Sequence, residues 1–142
     1  MRMIGRAALA ILLLGIPTLG FAGGAHAAAF PMDTPMKMRD IEAVCTGVGA
    51  EARSDPRWAG YRLRVEVAGT GGEYLGDVQV SIAKGGEALA SVACGGPWVL
   101  FNLAPGAYDV TAEFGGESRM GKANVGAAGQ ARIVLRFTNP AR

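Results

Sequence analysis

The chain has 142 residues, 22 of them glycine and 7 proline, with 14 bases, 12 acids and a single histidine. Arg2 and Arg6 precede an apolar run from Ala7 to Leu19, and Ala25-His26-Ala27 has the small-x-small form of a cleavage site, so residues 1–27 read as a signal peptide. Without them 12 bases balance 12 acids and no histidine remains, which excludes imidazole-based triads, proton shuttling by imidazole and most zinc sites.

The apolar run is broken by Gly15 and Pro17 and is too short to span a bilayer comfortably, so the mature chain is not expected to span a membrane. No Arg-Arg pair marks a twin-arginine signal, and no cysteine stands at the cleavage point. The expected location is periplasmic or secreted. A neutral mature chain with three lysines and no basic run is a poor nucleic-acid binder, because neutralising phosphates needs clustered Lys and Arg.

In chain order, residues 28–43 carry Pro31 and Pro35 with little alternation, and read as a flexible N-terminal arm. Gly47-Val48-Gly49 then leads into residues with helix propensity. Pro56 limits any helix here to a turn or two, a short cap before the first strand. Tyr61, Leu63, Val65 and Val67 alternate with Arg62, Arg64 and Glu66, the pattern of a half-buried strand. Val78, Val80 and Ile82 form the next strand, Lys84-Gly85-Gly86-Glu87 a hairpin turn, and 88–93 an alanine-rich strand. The run from Trp98 to Leu103 is apolar except for Asn102, as expected of a strand covered on both faces.

Ala104-Pro105-Gly106-Ala107 is a turn, because proline presets one central φ and glycine supplies the other. Beyond it Tyr108, Val110, Ala112 and Phe114 alternate with polar residues, so the two strands around this turn are expected to form a core hairpin. Gly115-Gly116 leads to a weakly patterned strand at 118–125, and Ala131, Ile133, Leu135 and Phe137 mark the last. The expected domain, 44–138, is therefore all-β: a seven-stranded antiparallel Greek-key sandwich, with a C-terminal tail at 139–142. Its expected free edges, by pattern, are 88–93 and 118–125.

Cys45 and Cys94 are the only cysteines. In an oxidising compartment an even pair reads first as a disulfide, with free or intermolecular thiols and a redox pair as the alternatives. Met32, Met36 and Met38 offer soft thioethers in one short segment, which suits Cu(I) and supplies an alternative function, a periplasmic copper-binding protein. Trp58 and Trp98 are candidates for a binding surface, against core or rim packing. Gly47-x-Gly49 could present backbone N–H groups to an anion, against simple tight turning. Glu51, Asp55, Glu73 and Asp77 could furnish paired carboxylates, against solvated loop charges.

Several segments carry a resemblance. Gly76-Asp77-Val78-Gln79-Val80, then Phe101-Asn102-Leu103, Pro105-Gly106 and Tyr108-Asp109-Val110, resemble carboxypeptidase regulatory-like domains, which are seven-stranded, transthyretin-like sandwiches. Gly47-Val48-Gly49 with Glu51, Tyr74-Leu75-Gly76-Asp77-Val78 and Gly96-Pro97-Trp98 look like the short exported proteobacterial members that carry one such domain and no enzyme. The similarity covers roughly 44–137, and its motifs specify turns and core positions. The two cysteines depart from it. The resemblance implies no catalytic residue and no cofactor, and it points to a non-catalytic accessory or interaction module whose protein partner the sequence does not identify.

Overall fold

A computed structural model of the chain describes residue 15 and residues 27–138; the rest of the signal-peptide segment and the tail at 139–142 lie outside the described residues. The chain is all-β. The first three strands are β1 (Ala28–Ala29), β2 (Met36–Met38) and β3 (Ile41–Thr46). A one-turn helix, α1 (Ala50–Arg53), and a 3₁₀ turn at Pro56–Gly60 follow. Next come β4 (Leu63–Gly69), β5 (Val78–Lys84), β6 (Glu87–Cys94) and β7 (Trp98–Phe101). The described chain closes with β8 (Gly106–Phe114), β9 (Glu117–Val125) and β10 (Ala131–Phe137).

One sheet has the order β1-β6-β5-β8-β9 and the other the order β10-β4-β7-β3-β2. Their inward faces share one core, with Val80, Ile82, Val92 and Val110 from the first and Val65, Val67, Val99 and Phe101 from the second.

Strands β4 to β10 are the seven that hydrophobic alternation predicts. β1 and β2 come from the segment expected to be a flexible arm and β3 crosses its boundary with the expected domain, so ten strands stand among the described residues rather than seven. Runs of two or three residues are too short for alternation to register, and their pairing is decided by distant partners. The arm works as a clasp across one open side of the sandwich. β1 pairs with the end of β6, Phe30 enters the core, Met32 bridges to Cys45, and β2 borders β3. Burying a side chain such as Phe30 contributes about 2–3 kcal/mol. The helical cap therefore follows three strands instead of preceding the first.

The sheets are mixed, not purely antiparallel. β10 runs parallel to β4 along its whole length, and β1 runs parallel to β6. The hairpin expected at Ala104–Ala107 is also corrected, since β7 belongs to the second sheet and β8 to the first. Proline and glycine do specify a sharp bend, but they do not choose which sheet each arm pairs into. Here the bend carries the chain across the core, and the Tyr108 hydroxyl fixes it by donating to the Ala104 carbonyl at 2.6 Å. The Gly85-Gly86 hairpin is as expected, and Gly115-Gly116 makes a second one. Gly85 and Gly86 join β5 to β6, and Gly115 and Gly116 join β8 to β9, all with positive φ, as two-residue hairpins of the favoured hand require.

Cys45 on β3 and Cys94 on β6 are bridged, with their Cα atoms 5.5 Å apart, so the disulfide ties one sheet to the other on the clasped side. On the opposite side β9 lies against β10 without pairing. A Cβ on Gly121 would sit 2.6 Å from Ile133 Cδ1, so the glycine is what lets these strands approach.

Candidate functional site

The two sheets treat their outward faces differently, and the second sheet carries the more elaborate one. β7 is buried on both sides: Val99 and Phe101 point into the main core, while Trp98 and Leu100 join Val44, Trp58 and Tyr61 in a separate outer cluster. The cover is the segment between β3 and β4. Asp55 caps its 3₁₀ turn by accepting from the Arg57 backbone N–H at 2.9 Å, and Pro56 starts the turn with the φ it needs. The Arg57 guanidinium returns to the same carboxylate at 2.8 Å, and this bond lowers the Asp55 pKa below its ordinary value. Gln130, in the turn before β10, donates through Nε2 to the carbonyls of Trp58 (2.8 Å) and Tyr61 (3.0 Å) and so fastens the cap.

Tyr61 thus belongs to this outer cluster, not to the inward face of β4 as its place in the alternating pattern predicts. Its hydroxyl donates to Glu42 at 2.6 Å; burial first, and that bond second, push its pKa far above the ordinary value. Trp58 and Trp98 are both buried, so neither offers a stacking surface in this conformation. Trp58 seals the cap and Trp98 lies under it. Their indole N–H groups have no hydrogen-bond partner.

At the centre of the face lies Glu66, only 1% exposed although the alternation of β4 places it on the outward side. Three groups reach its carboxylate. Arg64 donates through Nε at 3.2 Å, Arg132 through Nε to the same oxygen, and the Tyr74 hydroxyl to the other oxygen at 3.1 Å. Burial alone would raise the Glu66 pKa, but the Arg132 bond, the charges of Arg64 and Arg132 and the Tyr74 bond outweigh it and hold the carboxyl below its ordinary value. Aromatic rings extend the assembly. Arg64 stacks over Trp98 at 4.4 Å, Tyr74 meets Trp98 edge-on at 6.1 Å, and Arg53 covers Tyr74 at 5.2 Å.

Five of the nine arginines beyond residue 27 (Arg53, Arg57, Arg64, Arg132 and Arg136) therefore stand in this one layer. The sequence contains no basic run, and it is the fold that assembles the cluster. The signal available beforehand was slight: Arg64 and Arg132 sit at outward positions of two strands whose pairing no local pattern reveals.

The first sheet's outward face is plain. Gln79 and Ser81 on β5, Ser91 on β6 and Thr111 on β8 form its centre, linked by a Ser81–Ser91 hydroxyl bond at 2.9 Å and a Gln79–Ser91 bond at 3.3 Å. A dish of about 640 Å³ curves round one end of this sheet, between Phe30, Gly95 and the β8–β9 hairpin, with Asp77, Glu113 and Glu117 on its rim. A smaller groove of about 220 Å³ follows β6 from Ala88 to Ser91 beneath Met38 and Arg39.

The remaining candidates are distributed. Met32 lies with its sulfur 3.3 Å from Cys45 Sγ, a contact and not a hydrogen bond, since the bridged sulfur carries no proton. Met38 is packed against the core, and Met36 lies two residues away on the same side of β2. Glu51 is on α1, Asp55 is spent on the cap, Glu73 folds over Gly69 in the β4–β5 turn, and Asp77 immediately precedes β5. No group of three or more His, Cys, Asp or Glu side chains among the described residues is placed to hold a metal ion. Gly47 turns the chain with φ +100° tight against Trp98, and a Cβ there would meet the indole at 2.7 Å.

No helix among the described residues is long and apolar enough to cross a membrane. A scan against protein-family models gives no match for the chain, and a search of curated proteins gives none either.

Proposed function

We propose that the protein is a non-catalytic, exported accessory or interaction module of the periplasm, of the carboxypeptidase regulatory-like, transthyretin-like type, with β4 to β10 as its seven Greek-key strands. The observation that supports it is the edge of β6. β1 covers only Val92 and Ala93, leaving Glu87 to Ser91 without a neighbour on that side among the described residues. The Phe30 N–H donates to the Ala93 carbonyl at 3.1 Å, so the peptide groups of Ala93 face β1. By the two-residue alternation those of Ser91 face the open edge. A partner strand laid along the 220 Å³ groove would continue the ladder that β1 begins, with backbone bonds giving affinity and Met38 and Leu89 giving side-chain contact.

Photo-crosslinking in the periplasm tests this. A photoreactive residue replacing Leu89 is expected to capture a discrete partner, and S91P is expected to abolish that adduct, since proline removes the outward N–H, while circular dichroism shows the fold kept. S91A, which loses the same bonds to Ser81 and Gln79 but keeps the N–H, is expected to retain the adduct. No discrete adduct at 89, or one that S91P leaves intact, contradicts the proposal.

A further inference from the structure

We propose that Arg64 and Arg132 form a phosphate-binding fork on the outward face of the β4–β10 ribbon, with Glu66 as the positioning residue that aims both guanidinium groups. The inference is independent of the β6 edge, which lies on the other sheet.

The parallel register sets Arg64 directly opposite Arg132. Like charges facing each other across a strand pair are destabilising, so the arrangement is a local conflict the chain must offset. Glu66 offsets half of it. Both arginines use their Nε on one carboxylate oxygen, and neither makes another side-chain hydrogen bond among the described residues. One negative charge thus serves two positive ones, with the Nη amino groups of both left to bond elsewhere.

The groups are also held in place. Arg64 is fixed by stacking on Trp98, while Arg132 keeps about half its side-chain surface in solvent. Arg136 extends the positive surface four residues further along β10, with its Nη1 3.4 Å from the Gly69 carbonyl oxygen. Glu66 is the only acidic residue at the outward positions of either strand. Two anchored guanidinium forks match a ligand with three acceptor oxygens and more than one negative charge, which a phosphate group provides and a single carboxylate does not. Because Glu66 has already ordered the side chains, less conformational freedom is lost on binding.

The test uses the purified protein with inorganic phosphate, followed through the arginine Nε–Hε signals by NMR, and in parallel vesicles of phosphatidylcholine with and without phosphatidic acid. Phosphate is expected to shift the Arg64 and Arg132 signals, and R132Q to weaken binding at least tenfold. R132K keeps the charge without the planar fork and is expected to weaken binding similarly, with the fold checked by circular dichroism. R119Q removes an arginine from β9 and is expected to change nothing. Binding to phosphatidic acid vesicles without response to inorganic phosphate would support the fork and place its phosphate in a lipid headgroup. Response to neither probe, or full binding by a folded R132K, overturns the proposal.

Discussion

The outward faces of the two sheets are built on the same alternation and put to opposite uses. On the first sheet the central outward residues are polar and linked through hydroxyls and an amide, an Asp109–Lys122 ion pair stands beside them, and no helical segment covers them. On the second sheet an outward glutamate is fully buried, Trp58 of the helical cap packs in one cluster with Trp98 beneath it, and arginines stack on the rings. Alternation therefore tells which side of a strand faces the core, but not what becomes of the other side. That depends on whether a connection happens to fold back over it. Here the link between β3 and β4 does so, and the links flanking the first sheet do not.

The disulfide acts on both sheets alike and sets the scale. In the chain-entropy account, closing a loop across a sequence separation of 49 residues stabilises by about 4 kcal/mol. Urea denaturation of the C45S/C94S double variant is expected to show that loss. If the second face depends on its network, E66A should cost about 3 kcal/mol by the same assay, because it leaves two arginines facing each other with no counter-charge. G47A probes the same face from beneath: positive φ and the close approach to Trp98 should cost about 2 kcal/mol and alter the tryptophan fluorescence. On the first face, removing the hydroxyl pair with S81A/S91A is expected to cost about 1 kcal/mol or less. Equal losses from E66A and S81A/S91A would erase the distinction between the faces.

Acid gives a further contrast. Glu66 is held below its ordinary pKa of 4.5 in the folded chain, so its contribution is complete above that pH and is lost as pH falls through the lower folded value. Stability profiles of wild type and E66Q should therefore converge as the solution is acidified below 4.5, and run parallel if the carboxyl carries no such bond. S81A/S91A should show no such convergence.

Much of the frame was legible in the residues. Seven of the ten strands, the Gly85-Gly86 hairpin, the cap limited by Pro56 and the double burial of β7 all follow from spacing and turn chemistry. The Cys45–Cys94 bridge follows from the count of cysteines and the inferred compartment. What was not legible is non-local. Ala28–Ala29 becomes a strand only because the end of β6 is there to receive it, and Met36–Met38 because β3 is. The Pro105-Gly106 bend is readable, while its crossing from one sheet to the other is not. Glu66 looks like any outward polar residue until β10 brings Arg132 beside it and the β4–β5 connection brings Tyr74. The arginine fork is invisible for the same reason, as its two members stand 68 positions apart and meet only through a parallel pairing.

The most direct measurement is a double-mutant cycle between Glu66 and Arg132, using E66Q, R132Q and the combined variant in urea denaturation. The account predicts a coupling of about 1–3 kcal/mol, with the double variant more stable than the sum of the single losses implies. Losses that add to within about 0.5 kcal/mol would show that the two side chains do not act as a unit, and would contradict it.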